Sequence, residues 1–373
     1  MFRRGWRAYL VVVIFVVLTI LYFGYICQNN FCSFSSTRRD NEGDPNGKFS
    51  DISKLVPETF SPQMVDREYQ LDLDDEDVLV FLHIQKTGGT TFGRHLVKNL
   101  DVGKPCVCRP SMKKCECLTR KKTLWLFSRY STGWACGLHA DWTELKNCVD
   151  TAMDKQEGLH RERRYHYITI LRDPVGRYLS EFKHVQRGAT WKTARLFCNG
   201  RQATLEEVPF CYEGETWEDV TLDSFLDCRY NLANNRQTRM LANLSKINCY
   251  NKTGLTDEER DQKMLESAIE NLQNFSFFGL TEFQKETQHL FEHTFNLKFI
   301  DDFEQHNATH RKKLPVTADI TAKIKKHNNL DLQLYQFARE LFQRRVEKME
   351  NDLRQEMEDS TNEEVIIGLP GNN

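Results

Sequence analysis

Neither sign of charge predominates in this chain: 51 Lys and Arg stand against 53 Asp and Glu, a formal net charge of -2, so composition gives no basis for nucleic-acid binding. No Gly-x-x-x-x-Gly-Lys-[Ser/Thr] run occurs, and a Walker-type acidic metal site is not evident, which counts against a kinase or nucleotide hydrolase. The Gly-x-Gly-x-x-Gly of dinucleotide folds is missing as well. Residues 27–73 lack sustained periodicity and are rich in Asp, Ser, Asn and Pro, the composition of a flexible stem.

What the chain does have begins with an uncharged, mainly apolar run from Ala8 to Ile26, long enough to cross a hydrocarbon core as a helix. Arg3, Arg4 and Arg7 precede it, no basic residue follows immediately, and no small-x-small cleavage site closes it. These features predict a single-pass type II protein: a cytosolic tail (1–7), a transmembrane signal anchor (8–26), a luminal stem (27–73), one large domain (74–343) and a charged helical extension with a disordered end (344–373).

Twelve cysteines suit an oxidising lumen. Ten fall in the domain, an even number that predicts disulfides whose pairing the sequence leaves open. The rival reading is zinc at Cys106-x-Cys108 and Cys115-x-Cys117, although a one-residue spacer is short for such a site. Acceptor sequons for N-glycans stand at Asn243, Asn251, Asn274 and Asn307, with Asn274 expected to be poorly exposed beside an apolar run.

Val78 to Ile84 reads as a buried parallel strand, and a helix beginning near Thr90 follows. The connection carries Lys86, Thr87, Gly88, Gly89, Thr90 and Thr91: glycines that let amides turn inward, hydroxyl donors, a mobile ammonium and a helix start that favours anions. A phosphate cradle fits this chemistry, as does an ordinary glycine-containing turn. A second apolar strand, Tyr165 to Leu171, runs into Arg172-Asp173-Pro174 and another helix, with Ser180 two turns in. Between them, Gly133 to Trp142 holds His139, two tryptophans and Asp141, which could orient an imidazole acting as a base.

The segment His83-Ile84-Gln85-Lys86-Thr87-Gly88-Gly89-Thr90-Thr91 resembles the 5'-phosphosulfate loop of Golgi carbohydrate sulfotransferases, in particular the heparan sulfate 6-O-sulfotransferases. Likeness extends from about Asp77 to about Leu341. It implies an α/β, P-loop-like sulfotransferase fold, with a mainly parallel central sheet flanked by helices and a long C-terminal helical segment. The implied donor is 3'-phosphoadenosine 5'-phosphosulfate (PAPS), held by residues 83–91, by Arg172 and Ser180 at the 3'-phosphate, and by Thr309, Arg311 and Lys312 of a later loop. No metal is expected. His139 is implied as the base and Lys86 as the group that stabilises the leaving phosphate.

For the acceptor, the resemblance implies heparan sulfate chains contacted by Lys113, Lys114, Arg129, Trp134, His139, His184 and Trp191. Each tryptophan also reads as core, and His184 as a helix-surface residue. Seven bases against Glu116 between Arg109 and Arg129 fit a polyanionic glycan or a solvated surface. Alternatives kept open are transfer to another position, such as the uronate 2-hydroxyl, and a non-catalytic glycan-binding protein. Leu330, Leu334, Phe337, Leu341 and Phe342 form an apolar stripe that would dock the C-terminal helix, and its charged continuation offers a surface for self-association.

Overall fold

Four parallel strands make the sheet, and the middle two are the ones expected from their apolar runs: β1 (Asp77–Leu82) and β3 (Arg164–Leu171) pair along their length, Leu79 opposite His166 and Phe81 opposite Ile168. β2 (Leu126–Phe127) lies outside β1 and β4 (Phe277–Leu280) outside β3, giving the order β2-β1-β3-β4. Every residue of β1 is buried, as a parallel strand covered on both faces requires. The computed structural model describes residues 57–74, 76–303 and 316–367. The expected anchor at 8–26, Asn307, and the expected donor contacts Thr309, Arg311 and Lys312 lie outside these residues. No described helix is long and apolar enough to cross a membrane.

Helices follow the strand ends. α1 (Gly89–Lys98) buries Phe92, Leu96 and Val97 against the sheet, and α2 (Trp142–Glu157) starts three residues after His139. α3 (Pro174–Val185) opens on a proline, whose missing amide hydrogen costs nothing in a first turn. α4 (Arg236–Leu241) and α5 (Asp257–Asn274) pack together ahead of β4, and α6 (Gln284–Phe295) follows it. A second, smaller core gathers Tyr178, Phe182, Trp217 and Phe225 beside α3.

The region expected to be helical from Asp319 onward is two helices, α7 (Ala318–His327) and α8 (Asn329–Ile367). They meet at the buried Asn328, whose Oδ1 accepts from the Asn235 amide at 3.2 Å. All five residues of the expected stripe are buried on α8, and its packed part runs on through Arg345 and Val346 to Met349. Packing likewise begins earlier than composition suggested: Phe60, Met64, Tyr69 and Leu71, from the segment taken as stem, lie against the main core. Their apolar side chains are too thinly spread among polar neighbours to give a period; Phe60 meets Phe337 of α8, while Tyr69 meets His166 of β3 and Phe295 of α6.

All ten domain cysteines are paired: Cys106–Cys117, Cys108–Cys115, Cys136–Cys148, Cys198–Cys249 and Cys211–Cys228. The zinc reading falls with the first two, because both sulfurs of each Cys-x-Cys are consumed in nested bridges. Asn274 is exposed at the end of α5, contrary to expectation, although Asn271 and Leu272 before it and Phe275 after it are buried.

Candidate active site

Both expected phosphate loops emerge at the carboxyl ends of β1 and β3, adjacent strands whose order reverses there, the position at which open α/β sheets bind ligands. In the first loop, Lys86 and Gly88 take left-handed backbone angles, φ 69° and 82°. Gly89 is required for a different reason: a Cβ there would fall 2.3 Å from Cδ2 of the His83 ring, so the imidazole occupies the space a side chain would need. Thr87 donates its hydroxyl to the Ile84 carbonyl at 3.1 Å and so braces the turn instead of presenting that hydrogen to a ligand.

The second loop is tied to the first. Arg172 Nη1 donates to the Lys86 carbonyl at 3.1 Å, while the Arg172 backbone is bracketed by the Gln237 side chain, which accepts from its amide and donates to its carbonyl, both at 2.9 Å. Thr281, just past β4, donates to the carbonyls of Thr87 and Leu171. A cavity of about 200 Å³ opens between these ends, lined among others by Thr87, Gly88, Thr91, Arg172, Thr281 and Phe303. Hydroxyls, a guanidinium and an aromatic face suit a phosphorylated nucleoside. Burial and then Arg187 depress the Lys86 ammonium, with Glu181 opposing and Arg172 and Arg177 adding to the depression. Ser180 is half-buried on α3.

Across the loop stands His139, at a left-handed φ of 56°. Its ring lies 4.6 Å from Trp134 and 4.9 Å from His83, centroid to centroid. Nδ1 is 3.2 Å from the His83 carbonyl oxygen. Because a carbonyl only accepts, Nδ1 carries the hydrogen and Nε2 keeps its lone pair. Burial pulls the His139 pKa down to about 4, against the carbonyl bond, which raises it, and with help from Arg236 and Arg129. The imidazole is therefore neutral, a base with nothing to lose first.

Asp141 does not orient this ring. Its carboxylate caps α2 by accepting from the Glu144 amide at 3.0 Å and receives Tyr250 Oη at 3.4 Å. The sequence Asp141-x-x-Glu144 before a helix is a capping signature, and that signal was available in the sequence.

Lys113, Lys114, Arg129 and Trp134 come together, lining one open cavity of about 1060 Å³. The Arg129 guanidinium sits 4.9 Å from the Tyr130 ring centre and 5.0 Å from that of Trp134. Arg129, Gly133 and Trp134 also line the small pocket that holds His139, so groove and base adjoin. His184 and Trp191 line neither the groove nor the His139 pocket. His184 is depressed by partial burial and by Lys86 and Arg187, which places it on the donor-loop side of the site. Trp191 belongs to the second core, edge-on to Trp217 at 5.1 Å with Arg236 at 5.6 Å. Sequence reasoning missed Gln237, Thr281 and Phe303. Thr281 had a signal, since it follows a third parallel strand, but Gln237 stands in no local motif.

Two strand-to-helix junctions on neighbouring strands with the chemistry to receive anions, and a neutral imidazole bonded to the lysine-bearing loop, fit an α/β protein for group transfer from a nucleotide-type donor. The chain belongs to the sulfotransferase family, whose family model matches residues 69–338. It is similar to heparan-sulfate 6-O-sulfotransferase 1 of Cricetulus griseus, 56% identical over 291 residues, 77% of this chain and 73% of that protein. The human protein of the same name is 55% identical over 291 residues, covering 77% and 71%. Heparan-sulfate 6-O-sulfotransferase 2 of Gallus gallus is 46% identical over 361 residues, 95% of this chain and 90% of the relative.

Proposed function

We propose that this chain transfers the sulfuryl group of PAPS to the 6-hydroxyl of glucosamine units, preferentially N-sulfated ones, in heparan sulfate. The observation that carries the reading is the bond of His139 Nδ1 to the His83 carbonyl of the first loop, which leaves Nε2 as the acceptor, in a pocket that shares Arg129, Gly133 and Trp134 with the base-lined groove. His139 Nε2 takes the O6 proton as oxygen attacks sulfur. The new O–S bond forms while the S–O bond to the 5'-phosphate breaks, and its electron pair leaves with 3'-phosphoadenosine 5'-phosphate. Lys86 meets the charge that develops on that departing phosphate. Arg172 and Ser180 hold the 3'-phosphate, which separates this donor from nucleotides lacking it. Residues 83–91 cradle the 5' end, and Thr309, Arg311 and Lys312, outside the described residues, are further donor contacts in this reading. Lys113, Lys114, Arg129 and Trp134 contact the glycan in the groove, and His184 and Trp191, which line neither the groove nor the His139 pocket, would meet it only beyond them.

The same reading places the chain in the Golgi membrane through the 8–26 anchor, with the domain luminal; five disulfides support an oxidising compartment. Past Met349, exposed Leu353 and Met357 lie one turn apart on α8 and offer a surface for self-association, which sedimentation of the purified chain checks. The deciding experiment for function incubates the purified full chain with radiolabelled PAPS and N-sulfated heparan chains, followed by disaccharide analysis. Label at the glucosamine O6 supports the proposal. Label at the uronate O2, or donor binding without transfer, overturns it.

A further inference from the structure

The large groove has a wall that the glycan contacts named so far do not use. α2 contributes Asn147, Thr151 and Lys155 to its lining, residues four apart and hence stacked on one helix face. Opposite stand Lys113 and Lys114. With Arg129 the lining holds four cationic side chains, and none of the described residues lining it is acidic. α2 is not short of acids; it sorts them. Asp150, Asp154 and Glu157 all turn to the buried Arg163, at 3.2, 2.6 and 3.0 Å, leaving the groove face to the amide, the hydroxyl and the ammonium.

The helix also has a direction. It begins at Trp142, three residues from the base, and Lys155 is thirteen residues on, about 20 Å along the axis at 1.5 Å per residue. That exceeds the span of one sugar ring. Gln156 Nε2 donates to the Thr132 carbonyl at 3.1 Å and fixes this far end of α2 to the loop that carries Trp134. At about 1060 Å³ the cavity lies just above the roughly 300–1,000 Å³ range of pockets that engulf a drug-sized ligand, so it is larger than one reacting sugar needs.

We infer that the Asn147–Thr151–Lys155 face of α2 is a distal subsite for a polyanionic glycan, in which Lys155 binds a carboxylate or sulfate of a unit removed from the one being modified. Resting on the proposed transferase reading, it makes chain length a determinant of acceptor quality. A long acceptor engages Lys155 while its reacting unit sits at His139; a short one does not reach.

The test uses the full chain with acceptors of increasing length, from a tetrasaccharide to a dodecasaccharide, and compares kcat/KM for wild type, Lys155→Ala, Lys155→Glu and the charge-matched control Lys298→Ala, a lysine exposed on a remote two-residue strand. Lys155→Ala should raise KM for the dodecasaccharide roughly two- to five-fold, the size an exposed ion pair carries. Charge reversal should raise it further, and in both variants the advantage of long over short acceptors should shrink while Lys298→Ala tracks wild type. Repeating the series with N-acetylated acceptors separates the sources. A deficit that persists there assigns the contact to carboxylate, and one confined to N-sulfated chains assigns it to sulfate. An undiminished length advantage in both Lys155 variants overturns the subsite. Wild type that labels no acceptor of any length overturns the transferase reading instead.

Discussion

The carbonyl oxygen of His83 lies 3.2 Å from Nδ1 of His139, so one residue of the donor loop sets the tautomer of the base through its backbone. The side chain of the same residue fills the space above Gly89. Base and donor loop are thereby positioned by a single residue.

His139→Ala should lower kcat by several orders of magnitude while leaving PAPS affinity within a few-fold of wild type, as equilibrium donor titration would show. Since the neutral imidazole is the active form and its pKa is pulled down to about 4, kcat/KM should rise with pH through about 4 and be flat from about 5.5 to 7. An acidic limb centred on 6.5 would contradict the assignment.

Gly89→Ala and Gly88→Ala should fail differently. The first drives a Cβ to 2.3 Å from the His83 ring and must displace it, so both kcat and donor affinity should fall. The second meets only Thr281 at 3.5 Å and suffers mainly from its φ of 82°, about 1–2 kcal/mol of stability with turnover largely retained. Thermal unfolding beside turnover distinguishes the two.

Arg172→Ala should weaken PAPS binding before it changes kcat at saturation. Gln237→Ala should do the same to a smaller degree, because Gln237 touches only the Arg172 backbone. Competition with a nucleotide lacking the 3'-phosphate provides the control: neither variant should alter that weaker binding much.

Glu181 is buried between Arg177 and Arg236 and hydrogen-bonds to both; its Oε1 accepts from Arg236 Nη2 at 2.5 Å. Burial alone would raise its pKa, but Arg236 and Arg177 win and hold it at about 2. The folded value lies below the unfolded one, so this carboxylate stabilises the fold above pH 4.5 and the contribution is lost as pH falls toward 2. Glu181→Ala strands two buried cations and should cost about 3–5 kcal/mol in denaturant unfolding at pH 7.

β1, β3 and their two loops were readable from sequence because each is a continuous apolar run ending in a short chemical signature. His139 is singled out by the resemblance, since a lone histidine between tryptophans reads as readily as a structural residue; what the structure adds is its contact with the first loop at the His83 carbonyl. What escaped was set by distance in the chain. Asp141, adjacent to His139 in sequence, belongs to a helix cap; Gln237, 65 residues from Arg172, is the one that touches it. The order in residues 57–73 and the reach of α8 to Met349 depend on each other's surfaces, which no local window contains.

Asp331, near the start of α8, accepts from the amides of Gln237 and Thr238. Gln237 in turn grips Arg172, and Tyr335 one turn later donates to Glu282, which accepts from the amide of Asp173. A truncation made before residue 331 to remove an apparent tail would thus cut the struts under the Arg172–Asp173 loop. The same cut removes Leu334, Phe337, Leu341 and Phe342 from the main core, so the segment that reads as a tail is at once wall of the core and support of the loop.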